Sequence, residues 1–414
     1  MPSAANPHSQ YREALAWLFR TQRFGIKLGL ESSRRLFDSL GLPAPNERIL
    51  HVAGTNGKGS VCAMLDSICR AAGYRTALFT SPHLITFRER IQVNGEMISE
   101  EEVARGLTTI RDLVADWDPH PTFFEITTAL ALAHFRDANA DIVVLETGMG
   151  GRLDATNATQ PIVSVITPID YDHQKWLGNS LTQIAGEKAG IVKARIPVVS
   201  AVQPEDAAAV IRAHASECET PLEFVRESFT RFPVALAGSY QKENAALAVA
   251  ALRAAGIAID DTAIERGLAN VHWPARFQRW DKRTIIDGAH NPAGARSLTK
   301  SWQETFGAQR ATVILATLND KDLESLCRAL LPIMQRAILP RIQSERAADP
   351  EALAQTLHEQ APSLAVTLSP SFADAWREAQ RQPEPILITG SLHFAGEALA
   401  SLRGEPAAFE ECLQ

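Results

Sequence analysis

The stretch His51-Val52-Ala53-Gly54-Thr55-Asn56-Gly57-Lys58-Gly59-Ser60 concentrates glycines, a lysine and hydroxyls within ten positions. It follows an apolar run, Ile49 to Ala53, that reads as a strand. It opens a helix expected over Ser60 to Ala72, where Val61, Met64, Leu65, Ile68 and Cys69 recur at helical spacing and Gly73 marks the stop. This is the setting of a phosphate loop. Glycines let backbone N–H groups crowd an anion, the helix start adds partial positive charge, and Lys58 neutralises phosphate oxygens. The common pattern is not met cleanly. Val52 stands where a glycine is usual, and Gly59 separates the lysine from the hydroxyl of Ser60. A glycine-rich turn without a ligand is the plainer alternative, and the convergence of these residue types on one helix start argues against it.

Three further strand ends carry chemistry. Ile142 to Leu145 is an apolar strand closed by Glu146, a carboxylate placed to reach Mg²⁺ near the phosphate loop or else a solvated strand-end acid. Gly148, Gly150 and Gly151 follow it and allow close backbone approach to a ligand. The strand Ile162 to Ile166 runs into Thr167-Pro168-Ile169-Asp170-Tyr171-Asp172-His173, which brings His173 towards Glu146 if the strands are parallel. Thr80-Ser81-Pro82-His83-Leu84 closes another strand and offers a hydroxyl to the same ion. Mg²⁺ prefers oxygen ligands, so His173 either ligates directly or orients a metal-bound water. Lys188, in Ala185-Gly186-Glu187-Lys188-Ala189-Gly190-Ile191, reads by itself as a solvated surface lysine on a short helix.

The elements that must hold these residues alternate. Strands are expected at 75–79, 142–145, 162–166 and 197–202, with helices at 124–135 and 240–255. The pattern restarts with strands at 284–286, 312–316, 337–339 and 386–388 and a helix at 293–302. Unbroken β-branched runs suit strands buried on both faces of a parallel sheet. The fold class is therefore α/β, doubly wound. At about 150 residues per domain, 414 residues imply two or three domains. The segment His272 to Lys282, rich in Trp, Arg and Pro, fits neither periodicity and marks the junction. It gives domains of 1–278 and 279–414. With 45% apolar and 21% charged residues, the chain is neither disordered nor collagenous. A net charge of −7 and the lack of a basic run exclude a broad nucleic-acid surface, so anionic ligands must sit in local sites. Five scattered cysteines without a CxxC pair read as reduced thiols. No apolar run nears the roughly 20 residues of a membrane span, and Met1 to Gln10 lack a signal-type apolar stretch. The expected location is the cytoplasm.

In order and spacing, these motifs resemble the folylpolyglutamate synthase/dihydrofolate synthase family, within the wider Mur ligases. The matching stretches are Leu28 to Glu31, His51 to Ser60, Thr80 to Leu84, Phe123 to Glu125, Glu146 to Asn157, Asp172-His173 with Leu177-Gly178, and Glu187 to Ile191. Later in the chain they are Asp287-Gly288-Ala289-His290-Asn291-Pro292, Asp320-Lys321-Asp322 and Gly390-Ser391-Leu392. The resemblance implies a P-loop ATPase domain and a smaller Rossmann-like domain with catalysis between them. It implies that Thr55, Asn56, Gly57, Lys58, Gly59 and Ser60, with Asn244, Arg276 and Asp287, hold ATP. Two Mg²⁺ sites would lie among Ser60, Ser81, Glu146 and His173. Lys188 matches a lysine that can be carbamylated. Leu28, Gly29, Leu30, Thr122, Phe123, Phe124, Glu125, Leu153, Asp154 and Ala155 would hold a pterin. His290 and Asp287 are the candidate bases near the glutamate and the acyl phosphate.

The implied reaction is ATP-dependent addition of L-glutamate to dihydropteroate or reduced folate, by a monomer with only small-molecule partners and no nucleic-acid or membrane partner. Two departures fall at the junction, where the family usually reads Trp-Pro-Gly-Arg and then Glu two residues on. Here the chain reads Trp273-Pro274-Ala275-Arg276-Phe277-Gln278. Ala275 loses conformational freedom, and Gln278 loses a charge that would orient Arg276. A ligase acting on a cell-wall precursor and a nucleotide-gated binding protein are the alternatives. The short stretch before the phosphate loop weighs against the first, and the second α/β unit weighs against the other.

Overall fold

The computed structural model describes residues 6–25, 29–44 and 46–411. Two sheets organise the chain. The first contains β1 (Arg48–Ala53), β2 (Thr76–Phe79), β3 (Ile91–Val93), β4 (Glu96–Met97), β5 (Ile142–Glu146), β6 (Val163–Ile166), β7 (Val198–Ala201) and β8 (Leu222–Val225), in the order β4-β3-β2-β5-β1-β6-β7-β8. The run from β2 to β8 is parallel, and β3 and β4 add an antiparallel edge. The second sheet contains β9 (Gln278–Arg279), β10 (Thr284–Ile286), β11 (Ala311–Leu315), β12 (Met334–Pro340), β13 (Ala365–Ser369) and β14 (Ile386–Thr389), in the order β13-β12-β11-β14-β10-β9. Only β9 is antiparallel there.

Strand pleating sorts each apolar run into two cores. Val143 and Leu145 pack with Ala77, Phe79 and the helix Phe123–Asp137. Ile142 and Val144 pack on the other face with Leu50, Val52, the phosphate-loop helix Lys58–Ala71 and the helix Tyr240–Ala254. In the second sheet Val313, Leu315 and Leu387 face one core while Ile314, Ile386 and Ile388 face the other. Both sheets are thus covered on both faces, as unbroken β-branched strands require.

The expected strands and helices all form, with ends shifted by at most four residues. The phosphate-loop helix begins at Lys58, two residues earlier than its apolar spacing indicated. The hairpin β3–β4 escaped the periodicity because its strands are so short. Its turn, Asn94 (φ 52°) and Gly95 (φ 79°), is the left-handed Asn-Gly pair that favours tight hairpins. The edge strands β8 and β13 mix exposed and buried positions and give no apolar run. At the junction, β9 straddles the expected boundary between 278 and 279 and pairs with β10. Ala275 and Phe277 both adopt left-handed backbone, at φ 54° and 46°. A left-handed conformation that glycine would adopt freely is thus held here by an alanine, against a cost of roughly 1–2 kcal/mol.

Gly267, in the helix Asp261–Asn270, lets that helix lie against the phosphate-loop helix. A Cβ there would stand 2.5 Å from Ile68 Cα. Alanine has the better helix propensity by about 1 kcal/mol, but the overlap is with backbone and cannot relax through a side chain. Gly267→Ala is expected to destabilise the protein by about 1–3 kcal/mol, read as a lower urea midpoint. A midpoint at or above wild type would contradict this packing.

Candidate active site

The C-terminal ends of β1, β2, β5 and β6 open into one cleft of about 880 Å³ that is also lined by loops of the second sheet. Val52 pairs with Glu146 across β1 and β5, which sets the carboxylate one strand away from the phosphate loop. The loop is shaped by contacts that exclude side chains. Gly54 has φ 146°, and a Cβ there would overlap Thr167 Oγ1 at 1.9 Å. Gly57 caps the helix at φ 89°, with Asn244 against it, and Gly59 lies against the Trp273 indole. Thr55 and Asn56 N–H groups donate to Pro168 O at 3.0 and 3.2 Å, tying the loop to the end of β6. Lys58 Nζ donates to Gly54 O (3.2 Å) and Thr55 O (3.4 Å). Among the described residues it forms no ion pair, which suits a cation kept for phosphate.

Ser60 is buried and accepts from Gln241 Nε2 at 3.3 Å, while Asn244 Nδ2 donates to Gln241 Oε1 at 2.9 Å. Glu146 is buried and accepts the Ser81 N–H at 3.1 Å. Burial pushes its carboxyl up, opposed by Lys58, that N–H and Arg276. Among the described residues it has no ion pair. A desolvated carboxylate beside two serines suits a hard divalent cation whose remaining ligands are phosphate oxygens and water. No group of three His, Cys, Asp or Glu among the described residues stands ready to hold a metal unaided. His173 lines the same cleft with left-handed backbone (φ 50°) and faces Asp172 at 3.9 Å. Burial in the cleft first, then Lys321 and Lys58, lower its imidazole to about 4, with Asp172 opposing, so the ring is neutral near pH 7.

Lys188 is buried, not the solvated lysine that its sequence context suggested. Its Nζ donates to Gly54 O at 2.7 Å, the carbonyl that Lys58 also uses. Burial and Lys58 lower it to about 7, against Asp172 and Asp154.

The two sheets meet at Asp172. Its Oδ1 accepts Lys321 Nζ at 2.9 Å, and its Oδ2 accepts Asn291 Nδ2 at 3.0 Å with His290 Nε2 at 3.4 Å. Asn291 also donates to Asn56 Oδ1 at 3.1 Å, and Arg296 pairs with Asp170 at 2.9 Å. Burial would raise Asp172, but His290, His173 and Lys321 hold it far below the carboxylate range. The sequence marked Asp172, Asn291 and Lys321 only as motif members. Their joint role needs the second sheet in place and has no signal in local spacing. His290 has Nδ1 against Gly288 O at 2.9 Å and Nε2 towards Asp172. Both nitrogens thus face acceptors.

At the junction Asp287 is buried and accepts Phe277 N–H at 2.7 Å and Ala289 N–H at 2.8 Å, so both oxygens hold backbone. Burial raises it and Arg276 opposes. Gln278 Oε1 accepts Ala275 N–H at 2.9 Å. It therefore fixes the strained backbone and not the Arg276 guanidinium.

The far end of the cleft is walled by Gly29, Thr122, Phe123, Phe124, Glu125, Leu153, Asp154 and Ala155. Leu28 lies outside the described residues. Leu30 is buried and does not line the cleft, because it precedes the helix Glu31–Leu40 with its side chain packed inward. Buried Glu125 accepts Thr122 N–H at 2.7 Å and Ser33 Oγ at 3.1 Å. Asp154 accepts the N–H groups of Gly148, Met149 and Thr156.

The chain matches the family models for the Mur ligase middle domain over residues 52–220 and the Mur ligase glutamate ligase domain over 275–392. It is 34% identical to the dihydrofolate synthase/folylpolyglutamate synthase of Bacillus subtilis, over 95% of this chain and 99% of that protein. Its structure is similar to Escherichia coli FolC in complex with DHPP and ADP (TM-score 0.85, 31% identity, 98% and 99% covered). It is equally similar to the bifunctional Yersinia pestis folylpolyglutamate synthase/dihydrofolate synthase complexed with AMPPNP and Mn ion (TM-score 0.86, 30% identity, 97% and 100% covered).

Asp172→Asn leaves Lys321, a 10% exposed ammonium, without its counter-charge. A loss of about 3 kcal/mol is expected at pH 7. Because the folded-state pKa of Asp172 is depressed, its contribution is complete above the ordinary carboxylate value near 4 and fades as pH falls below it. The stability gap between wild type and variant, followed by thermal unfolding against pH, should narrow on acidification. A gap that widened would contradict the ion pairing.

Proposed function

Because the chain belongs to the Mur ligase family, and within it to the folylpolyglutamate synthase/dihydrofolate synthases, we propose a residue-level account of how its cleft joins L-glutamate to a pterin-linked carboxylate. The enzyme is an ATP-dependent ligase that forms an amide bond, ADP and phosphate. Neither alternative from the sequence, a cell-wall ligase or a nucleotide-gated binding protein, has support among the relatives. The observation that carries the account is the meeting of two lysines at the Gly54 carbonyl beside a buried, unpaired Glu146.

A carboxylate oxygen is a poor leaving group, so the substrate carboxylate first attacks the γ-phosphorus of ATP. Lys58 and the N–H groups of Gly57 to Ser60 offset the meeting of two anions. Ser60, Ser81, Glu146 and His173 would hold Mg²⁺, in two sites, and the metal would supply charge neutralisation on the phosphates. Glutamate nitrogen then attacks the acyl carbon, the C–O bond to phosphate breaks, and the nitrogen loses a proton. His290 is the better base, since both Asp287 oxygens are engaged by backbone. Arg276 and Asn244 flank the nucleotide, and Asp287 holds the junction backbone at Phe277 and Ala289. The pterin lies against Phe124, between Glu125 and Asp154, with bulk water kept from the acyl phosphate by closure of the second sheet.

Lys188, lowered to about 7, has enough neutral amine to add CO₂. Its nitrogen would form an N–C bond and release a proton. The carbamate keeps one N–H for Gly54 O and turns a cation into an anion beside the metal. The dividing line between a nucleotide- and pterin-binding unit and a glutamate-ligase unit, expected between 278 and 279, falls just before Gln278, because β9 belongs with β10. The reading makes the protein a cytoplasmic monomer that acts on small molecules. It accepts both dihydropteroate and reduced folate.

The test is phosphate release from ATP with Mg²⁺ and L-glutamate, using 7,8-dihydropteroate or tetrahydrofolate as acceptor. Release should need both acceptor and glutamate. Silence with both acceptors would break the assignment. Lys58→Ala is expected to lower kcat by at least about 10³-fold, in line with removal of a main electrostatic donor. Wild-type turnover in that variant would sink the phosphate-loop role.

A further inference from the structure

Glu410 lies far along the chain from the phosphate loop, yet its groups bind the first sheet's loop 81–90 on several sides. Its carboxylate accepts Tyr11 Oη at 3.0 Å, Thr86 Oγ1 at 3.1 Å and the Phe87 N–H at 2.6 Å. Its N–H donates to Ile85 O at 2.7 Å, and its carbonyl accepts His83 Nε2 at 2.9 Å. That last bond fixes the tautomer: Nε2 carries the proton, so Nδ1 is free to accept from the buried Arg90 Nε at 2.8 Å. Burial, then Arg90, keep His83 neutral, as both bonds require. Phe409, the residue before, sets its ring edge-on against His393 in the second unit, with centroids 5.0 Å apart.

The loop is held by the second unit elsewhere as well. Ile85 is part of the core that contains Ile286, Ile314 and Phe394. Gly396 is pressed against Leu84, where a Cβ would stand 1.9 Å from the carbonyl oxygen. Glu89 stiffens the loop from within by accepting the N–H groups of Leu84, Ile85 and Thr86. At its two ends the loop returns to the first sheet. Thr80 N–H donates to Arg90 O at 3.0 Å, and Ser81 N–H donates to Glu146 at 3.1 Å.

We propose that Glu410 is a positioning residue, a clasp that ties the loop 81–90 to the second unit so that docking of that unit sets Ser81 beside Glu146. The inference rests on the reading of Ser81 and Glu146 as the cation end of the cleft. It adds that this corner is assembled by the second unit, through a residue that touches neither ATP nor pterin.

The experiment uses the full chain and the variants Glu410→Gln, Glu410→Ala and Thr86→Val. Hydrogen exchange of the Phe87 amide reads the clasp directly. Calorimetric affinity for ADP with Mg²⁺, affinity for the pterin, and kcat read its consequence. Both Glu410 variants are expected to exchange Phe87 at least tenfold faster, about 1.4 kcal/mol. They should bind Mg²⁺·ADP several-fold more weakly, lower kcat, and leave pterin affinity unchanged. Thr86→Val, which removes one donor, should shift every readout the same way by less, and it keeps the test decisive if the Glu410 variants fail to fold. Unchanged exchange would overturn the clasp. Faster exchange with wild-type Mg²⁺·ADP affinity and kcat would overturn the coupling and leave a merely structural contact. These outcomes are distinct from failure of the ligase reading, which Lys58→Ala tests.

Discussion

Two ammonium groups converge on one backbone carbonyl, that of Gly54, and the rest of the cleft is arranged around that crowding. Lys58 and Lys188 donate to it at 3.2 and 2.7 Å. Like charges so close in a buried place would be intolerable without anions or loss of a proton. The fold supplies both remedies. Lys188 is driven down to about 7, and Glu146, Asp154 and Asp172 stand around the pair. The carbonyl is available because Gly54 turns at φ 146°, in a space where Thr167 leaves no room for a side chain. Lys58, without an ion pair among the described residues, is left as the cation available to a triphosphate.

The second sheet completes this balance. Asp172 belongs to the first sheet's loops but takes its partners, Lys321, Asn291 and His290, from the second. The same contact that docks the two units therefore occupies the groups closest to the chemistry. The turn at Ala275 and Phe277 that joins the units is left-handed at both residues and is pinned by Gln278 and Asp287.

Much of this was legible in the sequence, because parallel strands buried on both faces leave unbroken β-branched runs and because ligands gather at their C-terminal ends. The phosphate loop, Glu146 and the Gly-rich stretch after it could be placed from type and spacing alone. Lys188 could not. Burial of a lysine on a short helix depends on the packing of Gly190 and Gly151 against neighbouring backbone, and nothing local announces it. The Asp172 hub and the Glu410 clasp join residues more than a hundred positions apart, beyond the reach of periodicity. The Asn94-Gly95 hairpin was written in the sequence and passed over because its strands are only two or three residues long.

The most direct test of the account follows the oxygen atoms of the acceptor carboxylate. With ¹⁸O in that carboxylate, one turnover with ATP and glutamate should deliver one labelled oxygen to inorganic phosphate. It arrives there because the acyl C–O bond breaks when the amine attacks. Phosphate free of label, with amide product formed, would mean that the carboxylate never attacked phosphorus, and would contradict the mechanism assigned to Lys58 and the phosphate loop.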